Sequence, residues 1–69
     1  MTDPGWVIMG KGERQIVRQG RRFIAIRNRL VEPLWRLEEI DPETGRWLRT
    51  LAVKVFTKDL DSVLEALAP

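Results

Sequence analysis

The segment Asp41-Pro42-Glu43-Thr44-Gly45-Arg46 restricts the folding of this chain more than any other. Asp hydrogen-bonds the turn backbone, Pro presets φ, and Gly supplies the left-handed residue that closes the loop. On either side lie Leu34–Asp41 and Arg46–Phe56, both rich in apolar, β-branched and aromatic residues. The pattern predicts a β-hairpin. Pairing Asp41 with Arg46 and counting outward sets Ile40 against Trp47, Glu38 against Arg49 and Arg36 against Leu51. The alternate set is Glu39 with Leu48, Leu37 with Thr50 and Trp35 with Ala52. Glu38–Arg49 is then a cross-strand ion pair worth at most about 1 kcal/mol. Both faces of the hairpin carry apolar groups, so one packs under a helix and the other needs a partner or ligand.

The sequence after the hairpin supplies that helix. Thr57 is the expected N-cap, with Asp59 and Asp61 placed to complement the helix dipole. Leu60, Val63, Leu64 and Leu67 repeat at the spacing of one apolar stripe. Upstream, Met1–Gly5 reads as a short leader, and Gly10-Lys11-Gly12 marks a turn that folds Trp6–Met9 back onto Arg14–Arg18. Gln19-Gly20 is a second hairpin turn, leading into the strand Arg22–Arg29 (RFIAIRNR). Simple alternation points Ile24 and Ile26 toward a core, and Phe23, Arg27 and Arg29 the other way. Glu32-Pro33 breaks that strand. The expected fold class is α+β: an antiparallel sheet of four to five strands followed by one C-terminal amphipathic helix, in a single domain spanning residues 1–69.

A domain of 69 residues buries only about 60% of the surface its unfolded chain exposes. The chain has no Cys and no His, which removes disulfides and the usual zinc ligands. Association with another subunit is the remaining remedy, and a homodimer is expected. No apolar run has the length of a membrane span, and no signal-peptide core is evident at the N-terminus. A soluble, cytoplasmic protein without a membrane partner is the expectation.

The residue inventory argues against catalysis. Without His, Cys or Tyr the commonest general bases and soft nucleophiles are absent. Ser62, the sole serine, falls inside the predicted helix. Adjacent Glu38 and Glu39 project to opposite faces of a strand and cannot cooperate as an acid/base pair. Gly10-Lys11-Gly12 lacks the strand–GxxxxGK[ST]–helix context of a phosphate loop. No enzyme activity, small-molecule substrate, metal or cofactor is expected.

The charges are unevenly distributed. Between Lys11 and Arg29, the bases Lys11, Arg14, Arg18, Arg21, Arg22, Arg27 and Arg29 meet Glu13 alone, although the whole chain carries only +2. A local basic patch of this kind suits an anionic partner. Most of the five aromatics (Trp6, Phe23, Trp35, Trp47, Phe56) are needed in the core of so small a chain. Phe23 stands out because its same-face neighbours include Arg27 and Arg29. A ring flanked by arginines suits single-stranded nucleic acid, with bases stacked on the aromatic and phosphates held by guanidinium groups. Trp47 shares a face with Arg36 and Arg49 and is the second candidate. By strict alternation Leu51, Val53 and Val55 share that face too, unless a bulge intervenes; they could instead form a dimer seam.

With RRFIAIRNR, LWRLEEI, RWLRTLAVKV and TKDLDSVLEAL in view, residues 14–67 resemble the positive-cofactor/PUR/Whirly-like group of single-stranded nucleic-acid-binding proteins. That resemblance implies a dimer whose curved sheet faces bind single strands, with contacts from Arg22, Phe23, Arg27, Arg29, Trp47 and Arg49. Arg18, in the same basic run, completes the candidate set. WRLEEIDPETGRW with FTKDLDSVLEAL is also similar to the arm-binding domain of phage integrases. The Gly-Lys-Gly hairpin, basic strands and terminal helix look like the small-barrel archaeal chromatin proteins. Both of these imply a sheet placed on duplex DNA. The expected function is therefore nucleic-acid binding, preferably of single-stranded DNA or RNA. Its rival is a protein-interaction or oligomerisation module whose sheet face contacts a partner chain.

Overall fold

A computed structural model of the protein describes residues 5–27 and 34–68. The expectations for Arg29 and for the break at Glu32-Pro33 fall outside these residues. The described chain forms five strands, β1 (Val7–Gly10), β2 (Glu13–Arg18), β3 (Arg21–Arg27), β4 (Leu34–Ile40) and β5 (Trp47–Phe56). A 3-10 turn at Thr57–Asp59 then leads into helix α1 (Leu60–Leu67). All strands are antiparallel and lie in sequence order, an up-and-down meander. This is the α+β architecture expected from the sequence. No helix among the described residues is long and apolar enough to cross a membrane.

The turns explain the registers. At Gln19-Gly20 both residues have positive φ, 50° and 77°, the conformation of a two-residue turn whose twist matches the flanking strands. It sets Arg18 opposite Arg21, Val17 opposite Arg22 and Ile16 opposite Phe23. The Asp41 loop closes as its sequence demands. Asp41 Oδ1 accepts from the amides of Glu43 (2.8 Å) and Thr44 (3.0 Å). The Asp41 amide donates to the Arg46 carbonyl at 2.7 Å, and Gly45 takes φ 77°.

Beyond the loop, strict counting fails. Ile40 faces Trp47 as expected, but Leu48 is an extra residue, so Glu39 rather than Glu38 pairs with Arg49. Further irregularity sets Leu37 against Ala52 and Trp35 against Val55. Each inserted residue reverses the side-chain parity of the strand beyond it. Lys54 lies in this irregular stretch at φ 56°.

The core lies between the sheet and α1. Phe23, Ala25, Leu37 and Leu64 are fully buried, with Ile16, Trp35, Val55, Leu60 and Ala68 almost so. Phe23 and Ala25 therefore face inward and Ile24 and Ile26 outward, the reverse of the expected assignment. Both parities of β3 are apolar, so alternation alone cannot choose between them. The inward set wins because it joins the one ring of β3 to Ile16, while small Ala25 leaves room beside Leu37, its cross-strand neighbour.

At the helix, Leu60 and Leu64 are buried, but Leu67 is half exposed and Ala68 takes the next buried position. Thr57 does not cap α1; its Oγ1 accepts a 2.6 Å hydrogen bond from the indole of Trp35. Trp6 packs at the core margin, and its indole donates to Asp61. The described molecule measures 30 × 30 × 21 Å. A thickness of 21 Å matches one sheet plus one helix, with layers roughly 10 Å apart, leaving the second sheet face uncovered.

Candidate functional site

The registers sort the side chains into cross-strand rows, and those rows decide what the candidate residues can do. On the uncovered face, one row runs Val7, Gln15, Ile24, Glu38, Thr50 across all five strands. A second runs Val17, Arg22, Ile40, Trp47, and a third Glu13, Ile26, Arg36. Val7, Met9, Val17 and Trp47 are each more than half exposed, Trp47 at 60%. Ile24, Ile26 and Ile40 lie half buried between them. Together they make an apolar patch on the open face of the sheet.

Arg22, Arg36 and Glu38 have partners within this face. Arg22 Nε donates to Gln15 Oε1 at 3.1 Å. Arg36 pairs with Glu38 at 2.8 Å, and the Thr50 hydroxyl donates to the same carboxylate at 3.3 Å. Two hollows flank the centre. One, of about 310 Å³, is bordered by Val7, Met9, Gln15, Val17 and Arg22. The other, of about 400 Å³, lies diagonally opposite between Ile26, Leu34, Arg36, Val53 and Lys54.

On the helix side the sheet carries a partly charged margin. Arg21 holds Glu39 through two hydrogen bonds of 2.9 Å, and Arg49 approaches the same carboxylate at 3.3 Å. Glu39 is 4% exposed and, among the described residues, the sole buried polar one. The hydrogen bonds from Arg21 outweigh burial and, with the charges of Arg21 and Arg49, hold its carboxyl below the usual value. The same contact raises Arg21. Two arginines also cover rings: Arg21 lies 5.1 Å from the centroid of Phe23, and Arg14 4.8 Å from that of Trp35.

The nucleic-acid candidates do not meet on one surface. Phe23 has no exposure and cannot stack on a base; its expected role as an open platform is corrected to a core ring. Arg22 projects to the face opposite Phe23. Arg27 lies at the other end of β3, across from Trp35. Arg49 is on the helix side, paired to Glu39, whereas Trp47 is on the open face; the bulge at Leu48 separates them. Arg18, Arg22, Trp47 and Arg49 nevertheless share one end of the sheet, joined there by Arg21 and Arg46.

Val17, Ile40 and the pair Ile24/Ile26 are surface residues that alternation missed. The two-residue turn at Gln19-Gly20 carried the signal, because it puts Val17 beside Arg22 and hence opposite in parity to Ile16 and Phe23. Among the described residues, no cluster of three or more His, Cys, Asp or Glu could hold a metal. No protein-family model matches the chain, and no curated protein or solved structure does either.

Proposed function

We propose that this protein is a binding module without catalytic activity, and that its uncovered sheet face receives another protein chain. One observation carries the reading: a five-stranded sheet covered by a helix on one side only, with Val7, Met9, Val17 and Trp47 open on the other. Burying apolar surface is worth roughly 25 cal/mol per Å². Because Arg22, Arg36 and Glu38 already have partners within the face, covering it strands few polar groups.

The test is site-specific photocrosslinking in cells that make the protein, with the crosslinker at position 17 or 47 and a control at exposed position 65. Protein adducts from the two sheet positions and not from the control support the reading. Adducts to nucleic acid, or none from any position, overturn it.

A second reading keeps the nucleic-acid function on different residues. The presence of Arg18, Arg22 and Arg46 at the same end of the sheet as exposed Trp47 favours it. Trp47 then replaces Phe23 as the stacking ring, worth about 1–3 kcal/mol per base. Binding to a labelled single-stranded oligonucleotide that falls steeply with salt and weakens in Trp47→Ala supports this reading. Absence of binding at low salt removes it.

A further inference from the structure

Resting on the protein-interaction reading, we propose that the occupant of the open face is a second copy of this chain, packed sheet to sheet about a two-fold axis running along β3. The argument comes from the positions of charges and bulky groups on the face. Such an axis carries β5 of one copy over β1 of the other and β4 over β2, with the cross-strand rows kept in line. In the third row, Glu13 on β2 and Arg36 on β4 stand on either side of Ile26. The rotation places each Glu13 against the other copy's Arg36, twice over. In the first row it brings Glu38 over Gln15, within reach of the Arg22 that Gln15 already holds. In the second row Arg22, on β3, meets its own copy at the axis. The Glu38 carboxylates brought over Gln15 flank that pair, so the charges on these rows (Glu13, Glu38, Arg22, Arg36) cancel.

Shape obeys the same symmetry. Trp47, exposed at the β5 margin, comes over the hollow bordered by Val7, Gln15 and Val17 near β1. Met9, exposed on β1, comes over the hollow between Ile26, Leu34 and Val53 near β5. Ile24 and Ile26 meet their own copies at the axis. An axis perpendicular to the strands would instead set Glu13 on Val17 and Arg36 on Ile40, burying charge against apolar groups. Aligned packing of two sheets at about 30° accommodates the first arrangement.

Sedimentation of the purified full chain at micromolar concentrations tests this. A particle of twice the 8.0 kDa chain mass is expected. Glu13→Arg alone and Arg36→Glu alone should each weaken the dimer about tenfold or more. Glu13→Arg combined with Arg36→Glu should dimerise more tightly than either single variant, because the contact between copies then has its signs exchanged, while the Arg36–Glu38 pair within each copy is lost in the Arg36→Glu single variant as well. Circular dichroism checks that each variant is folded. Trp47→Ser, at an exposed site, should weaken the dimer without loss of fold. A monomer at 100 µM (about the ceiling of a useful assay), or a double variant that dimerises no more tightly than either single one, overturns the proposal. Crosslinking of positions 17 and 47 to a different protein, with the purified chain monomeric, would sink self-association and leave the interaction reading standing.

Discussion

Arg21 and Glu39 lie on adjacent strands and are joined by two hydrogen bonds of equal length, 2.9 Å each, with the carboxylate buried and the guanidinium partly open to solvent. Desolvation works against the ionised carboxylate, yet its pKa is lowered because two donors and a second arginine outweigh that penalty.

Stability should therefore depend on acid in a definite direction. Glu39 and Asp41 both titrate below their ordinary values of 4.5 and 3.8. Groups depressed on folding contribute stability that is complete above the unfolded value and is lost as pH falls through the folded one. Denaturation midpoints measured from about pH 6 to pH 2 should fall steadily below the ordinary carboxylate range. Glu39→Gln should flatten that fall, and Glu39→Ala should cost about 1–3 kcal/mol at neutral pH. A wild-type profile flat down to pH 2 would contradict the role assigned to the pair.

The bond from Trp35 to Thr57 makes a separate prediction. The indole is buried, so removing its 2.6 Å acceptor leaves a donor with no water to turn to. Thr57→Val should destabilise by about 1–3 kcal/mol, whereas Thr57→Ser should stay close to wild type. Equal losses in the two variants, read by urea denaturation, would show that the methyl group rather than the hydroxyl matters.

A stabilising substitution is available at the β2–β3 turn. Gln19 has φ 50° beside Gly20 at 77°, a geometry in which Asn is far better tolerated than Gln. Gln19→Asn should raise stability by roughly 0.5 kcal/mol. Gln19→Val should lower it by more than that, since a β-branched residue is poorly tolerated at positive φ. Thermal melts of the two variants moving the same way would refute the assignment.

The elements were legible in the sequence, and their faces only partly so. Asp41-Pro42-Glu43-Thr44-Gly45 announced its hairpin because each residue has a local reason to be where it is. Gln19-Gly20 and the Leu60/Leu64 spacing were equally plain for the same reason. Side-chain direction on β5 was not, because Leu48 is inserted with no Gly or Pro to mark it, and the insertion moves Arg49 from Glu38 to Glu39. On β3 the competition between Phe23/Ala25 and Ile24/Ile26 is settled by volume against Leu37 and Ile16, a tertiary matter. The expected binding set inherited both errors. It read Phe23 as open when that face of β3 is buried, and it joined Trp47 to Arg49 by a parity that the extra Leu48 breaks.

The meander also governs how the molecule assembles. Each strand finds its neighbour immediately before or after it along the chain, so no pairing waits on the closure of a long loop. The entropic barrier is met in small instalments, one hairpin at a time, and the sheet can zip up from either well-formed turn. A topology this local belongs among the quick folders of its size, with little time spent showing bare strand edges to other molecules.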